Sequence, residues 1–202
     1  MNLDNENLEW KLCEAYFSIL EISMSSDISI DKLSIEAKFS KEEVEKIVPS
    51  NPMHYRIFFL KILISKLDKE VLNELKVDIA DDTVSSTYDK ILEGLSLRYE
   101  KYLEYKKSFK ILSKNSKQRI EVFFNVFKEN YYFSYNLLTL IEEDQNCALK
   151  TLKSFALNIV FVKSLEIFLK DDNEDIDVVM RYLDKYLSDM QEIGIFVGVI
   201  KN

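Results

Sequence analysis

An all-α fold is predicted by three features of this 202-residue chain. Only three Gly and two Pro punctuate it, which implies long helices joined by short connections. Leu, Ile, Phe, Lys and Glu recur at helical intervals, and alternating β-branched runs between turn residues are absent over most of the length. With 47% hydrophobic residues, the chain can build one globular domain, or one domain carrying a small N-terminal module.

The elements follow in order. Leu8, Leu12, Ala15, Tyr16, Ile19, Leu20 and Ile22 recur at i, i+3 and i+4, predicting an amphipathic helix from Leu8 to about Ser25. Asp27 or Ser29 then caps a short second helix ending near Lys38. Ser40-Lys41-Glu42-Glu43 has capping-box spacing and starts a third. Pro49 and Pro52 bracket its exit, and Pro52 suits the first turn of a fourth helix reaching about Leu75. The acidic, Ser/Thr-rich stretch Val77 to Ser86 reads as a linker, which divides the chain into a module over 1–75 and a C-terminal domain over 76–202. Four long helical patterns fill the latter, at about 88–112, 117–141, 146–169 and 175–190, with breaks at Ser113-Lys-Asn-Ser116, Glu142-Glu-Asp-Gln145 and Asp171-Asp-Asn-Glu174. Their apolar faces are expected to close one bundle core.

A formal charge of −8 would repel a polyanion at long range, so any nucleic-acid contact needs a local basic patch. Cys13 and Cys147 lie far apart with no Cys or His beside them, which excludes a zinc module and gives no disulfide framework. The start Met-Asn-Leu-Asp-Asn-Glu is unlike a signal peptide, and no apolar run approaches the ~20 residues that span a bilayer. A soluble cytoplasmic protein without integral membrane association is expected. Enzymatic signatures are missing: His54 is the sole histidine, and neither a phosphate-cradling Gly loop nor a nucleophile elbow occurs. No cofactor is expected. Asp171-Asp-Asn-Glu-Asp-Ile-Asp177 lacks the alternation, Gly and distant Glu of a calcium loop. Those carboxylates are read instead as capping the last helix, and no metal site is expected.

Residues 29–51 have helix-turn-helix spacing. Leu33, Ala37, Phe39, Val44 and Ile47/Val48 are apolar where two short helices would pack across a tight turn, with Ala37 small at their approach. Together with the helix before it, the long helix after it and the all-helical remainder, the segment resembles the TetR family of bacterial one-component regulators. Ser29, Leu33-Ser34, Ala37, Phe39-Ser40-Lys41 and Val48-Pro49-Ser50 hold the matching places. The departures fall where DNA would be read: Lys38 and Glu42 stand where the family usually has Gly, and Glu45 where it has Tyr. Over residues 1–66 eight Lys/Arg face eleven Asp/Glu, a net of −3, the opposite sign from a usual DNA-binding face.

The resemblance implies a two-part, ligand-responsive DNA-binding regulator acting as a homodimer. Lys32, Lys38, Ser40, Lys41, Lys46, His54, Tyr55 and Arg56 are the candidate contacts to double-stranded DNA. For a pocket holding a small apolar or amphipathic ligand the candidates are Tyr99, Tyr102, Phe123, Phe127, Tyr131 and Phe161. Ala148, Thr151, Phe155, Asn158 and Val162, with Ser154, form a small-plus-apolar stripe suited to a dimer interface. The acidic third helix also fits an alternative, a TetR-fold lipid or isoprenoid carrier like the accessory proteins of ubiquinone biosynthesis, which no longer binds DNA. The apolar tail Ile193-Gly-Ile-Phe-Val-Gly-Val-Ile200 would then be a surface-seeking segment.

Overall fold

The computed structural model describes residues 3–80, 82, 84–114, 119–141 and 147–196. Among them every regular element is a helix: α1 (Leu3–Ser23), α2 (Ile30–Ala37), α3 (Lys41–Glu45), a single 3-10 turn (Pro52–His54), α4 (Tyr55–Asp78), α5 (Thr87–Leu103), α6 (Lys106–Lys114), α7 (Arg119–Leu140), α8 (Cys147–Lys170) and α9 (Asp177–Phe196). The chain forms two compact units. The first comprises Met1–Lys66 and Tyr105–Val126, the second Leu67–Glu104 and Phe127–Asn202. The unit boundary at 66/67 falls inside α4, and that at 126/127 inside α7.

Local chemistry sets the helix starts. Ser29 caps α2 by accepting from the Lys32 N–H. Ser40 and Glu43 exchange side-chain-to-backbone bonds at α3, the predicted capping box. A second box, Ser86 with Asp89, opens α5. The long pattern expected over 88–112 is two helices, because the chain turns at Glu104 and Tyr105 without a Gly or Pro to announce it. Its first half, α5, belongs to the second unit and packs on α9, whereas α6 belongs to the first and packs on α1.

In the first unit Leu12, Cys13, Tyr16 and Leu20 of α1 are fully buried with Leu33, Val44, Phe59 and Leu63. The Tyr16 and Phe59 rings stack at 4.6 Å, and the Cys13 thiol donates to the Phe59 carbonyl at 3.4 Å. Burial pushes that thiol far above its ordinary range, with Glu14 adding to the rise, so Cys13 is a packing residue without nucleophilic character. α6 is fastened to α1 by the Ser108 hydroxyl, which donates to Glu21 at 2.6 Å.

The second unit places α5 against α4 and α7 so closely that a side chain at Gly94 would require the neighbouring leucines to shift. A Cβ there would stand 2.8 Å from Leu137 Cδ1 and 3.1 Å from Leu75 Cδ2. Tyr88 joins α5 to α9 by donating to Asp184 at 2.6 Å.

Candidate functional site: the helix pair and the buried polar core

The α2–α3 pair is closed by a turn whose backbone is specific. Lys38 adopts a left-handed conformation, φ 60° and ψ 39°, and the Phe39 N–H then donates to the Ser34 carbonyl at 3.0 Å. A Cβ is strained in that conformation, which glycine adopts freely. Leu33 and Val44, both fully buried, pack the two helices from either side of the turn. Because Lys38 is exposed, Lys38→Gly loses no packing and relieves the strain. Its urea midpoint is expected to rise, by about 0.5–1 kcal/mol of stability, whereas Lys38→Val should lower it.

Of the candidate DNA contacts, Lys32, Lys38, Ser40, Lys41, Lys46 and His54 are exposed. Lys41 is engaged with Asp31 at 3.0 Å, a pairing that raises its pKa. Glu42 and Glu45 are exposed between the lysines, and Glu43 is occupied with Ser40, whose hydrogen bonds hold its carboxyl below the ordinary value. Tyr55 and Arg56 require correction as surface contacts. They are 2% and 4% exposed, because the first turn of α4 directs both into the first unit's core.

The aromatic candidates separate. Tyr99, Tyr102 and Phe161 are buried together in the second unit, with Tyr99 stacked on Phe161 at 5.2 Å. Tyr131 is half-buried beside Tyr135, and Phe127 is half-buried against Phe155 at 5.9 Å. Phe123 is exposed, on the part of α7 that belongs to the first unit.

At the centre of the buried group is a residue that sequence reasoning missed. Arg98 has no solvent exposure. Its guanidinium donates from Nε to Asp68 Oδ1 at 2.7 Å and from Nη2 to Asp68 Oδ2 at 2.8 Å, and from Nη1 to the Asn130 side chain. Phe133 and Phe161 lie 4.1 and 4.2 Å from it. Asn130 passes its own amide hydrogens to Asn158, which donates to the Phe127 carbonyl at 2.9 Å. One polar chain therefore ties α4, α5, α7 and α8. Sequence carried a signal: Arg98 occupies the stripe Ile91, Leu95, Tyr102, and Asp68 the stripe Ile64, Val71, Leu75, so each charge stands where its helix should be apolar.

Burial lifts the Asp68 carboxyl from the ordinary 3.8 to about 6, against the pull of Arg98 and Tyr102. Its folded pKa thus exceeds its unfolded one. Between these values the folded state holds a proton that the unfolded state releases, so this group's contribution to stability falls as pH rises through about 4 to 6 and is level above. Asp68→Asn should remove that slope, read as unfolding midpoints across the window.

Among the dimer candidates Ala148 and Thr151 are exposed, Phe155 is 48% exposed and Val162 is half-buried. Asn158 requires correction: it is fully buried, with its amide committed to Asn130 and Phe127. Leu152 and Ile159 are the exposed apolar neighbours of Phe155, so the outward row of α8 runs Leu152, Phe155, Ile159. The carboxylates of 171–177 close local turns: Asn173 N–H donates to Asp171 and Asp177 N–H to Asp175. No group of three His, Cys, Asp or Glu among the described residues is arranged to hold a metal ion. The tail side chains of 193–200 lie outside those described, as do the breaks at 115–116 and 142–145. No described helix is long and apolar enough to cross a membrane. No protein-family model matches the chain, and no curated protein matches it.

Proposed function

We propose that the chain is a ligand-responsive DNA-binding regulator of TetR-like plan, acting as a homodimer through α8 and α9. The observation that carries the reading is the α2–α3 pair, with its left-handed turn at Lys38, its Ser40–Glu43 capping box and its buried Leu33 and Val44, set between α1 and the long α4. Lys32, Lys38, Lys41, Lys46 and His54 are the side chains available for phosphate. An apolar or amphipathic ligand entering the aromatic group around Tyr99, Tyr102 and Phe161 would compete with the packing about Arg98. Asp68 would pass the change into α4, whose first half belongs to the unit carrying α2 and α3.

Asp31 bears on the strength of this function. An exposed ion pair is easily exchanged, but a DNA phosphate approaching Lys41 must displace the Asp31 carboxylate from it. Asp31→Asn should therefore strengthen DNA binding several-fold at low salt, measured by fluorescence anisotropy on a selected duplex. Selection of genomic fragments by the purified protein tests the reading itself, which requires a site of two-fold symmetry released by rising salt.

The exposed Glu42 and Glu45 and the pairing of Lys41 favour one second reading. In it the helix pair is retained without DNA binding, and the second unit carries a lipid or isoprenoid. Near-stoichiometric apolar molecules in organic extracts of the purified protein, with no DNA selected, would identify that reading.

A further inference from the structure

Among the described residues two arginines, Arg56 and Arg98, are buried, and of these Arg98 has a carboxylate in contact. Arg98 shows what a guanidinium removed from water requires: a carboxylate on two of its nitrogens, an amide on the third and aromatic faces on both sides. Arg56 is comparably buried, at 4% exposure, but its Nη2 reaches only the hydroxyl of Ser26. Its Nε and Nη1 have no acceptor. The Tyr16 hydroxyl, fully buried, lies against the Arg56 guanidinium without a well-directed hydrogen bond to it or to any other group. Burial pushes that phenol far up, against the pull of Arg56, so Tyr16 is a neutral hydroxyl able to donate. Asp27 acts electrostatically on Tyr16, but no carboxylate among the described residues lies in salt-bridge range of Arg56.

Two guanidinium N–H groups and a phenol hydroxyl are therefore brought together from α4 and α1 with no well-directed hydrogen bond and with no carboxylate in contact with the positive charge. A buried cation without a partner is among the least tolerable features of a folded interior. Water would accept hydrogen bonds here without neutralising the charge, whereas an oxyanion does both and matches a guanidinium fork. We infer that Arg56, Tyr16 and Ser26 form an internal site for a small inorganic oxyanion, of the phosphate or sulfate type. The burial of Arg56 argues for a small ion and against a phosphodiester on a duplex. Bound there, the ion ties α1 and the α1–α2 connection to the start of α4, and so stabilises the unit that carries the helix pair. The inference is independent of whether α3 reads DNA.

The test is titration of the full chain with inorganic phosphate at constant ionic strength balanced by chloride. It reads the melting temperature and the Arg56 Nε–H resonance, assigned by its loss in Arg56→Lys. The expected result is a melting temperature that climbs with the logarithm of phosphate concentration, together with a saturable shift of that resonance. Arg56→Met should fold and lose the phosphate response, and Tyr16→Phe should weaken the apparent affinity about tenfold. Sulfate should reproduce the shift and a short DNA duplex should not. An unmoved Arg56 resonance in the wild-type protein would overturn the site, as would an Arg56→Met protein that responds to phosphate like the wild type. A shift produced by duplex alone would overturn the assignment to a small ion. Should Arg56→Met fail to fold, the wild-type resonance titration decides the matter alone.

Discussion

Asp68→Ala should destabilise the protein by about 3–5 kcal/mol at neutral pH, the range for removing one partner of a buried ion pair. The pair is bidentate and Arg98 is wholly buried, so truncation leaves a buried guanidinium without its carboxylate. The strain falls on four helices together, since Asn130 and Asn158 extend the same chain of bonds. Urea unfolding followed by far-ultraviolet circular dichroism measures the loss. The comparison that isolates its cause is Asp68→Leu with Arg98→Met. Replacing both charges by apolar side chains of similar volume should recover most of the stability, because the cost of the single variant lies in the orphaned charge. If the double variant is as unstable as Asp68→Ala, the network is held by shape and the charge argument fails.

The second large effect concerns nucleic acid. Lys41→Glu combined with Lys46→Glu should lower affinity for a selected duplex at least about a hundredfold at low salt, and should reduce the slope of log affinity against log salt by about two contacts. Both lysines are exposed and neither is needed for packing. α3 is capped by Ser40 and Glu43 and anchored by Val44, so melting behaviour should be nearly unchanged while binding is lost. Equal affinity in wild type and variant would remove α3 from any DNA contact.

Much of the fold was legible because its signals are local. The Ser40 box, the cap at Ser29 and the apolar spacing of α1 and α4 each depend on residues within a turn or two. The α5–α6 break was not legible, since Glu104-Tyr105 carries no turn-former and the helical period runs through it. It is settled by tertiary packing, with α5 against α9 and α6 against α1.

The candidate site divided on similar grounds. Lys32, Lys38, Lys41, Lys46 and His54, named as candidate DNA contacts, are exposed, but at the start of α4 the sequence did not distinguish the exposed His54 from the buried Tyr55 and Arg56. Asn158 reads as a small polar residue suited to an interface until Asn130, 28 residues earlier, is seen to hold its amide. The Asp68–Arg98 pair spans 30 residues, and periodicity shows that each is misplaced on an apolar stripe without showing that they meet.

Whether the α2–α3 pair reads DNA despite its acidic setting is decided by fragment selection from the source genome with the purified protein, first at low salt and then at rising salt. A DNA-reading helix pair should enrich a site with two-fold symmetry, released as salt rises and absent when the Lys41→Glu, Lys46→Glu protein is used. Failure to enrich any sequence at the lowest salt would contradict it.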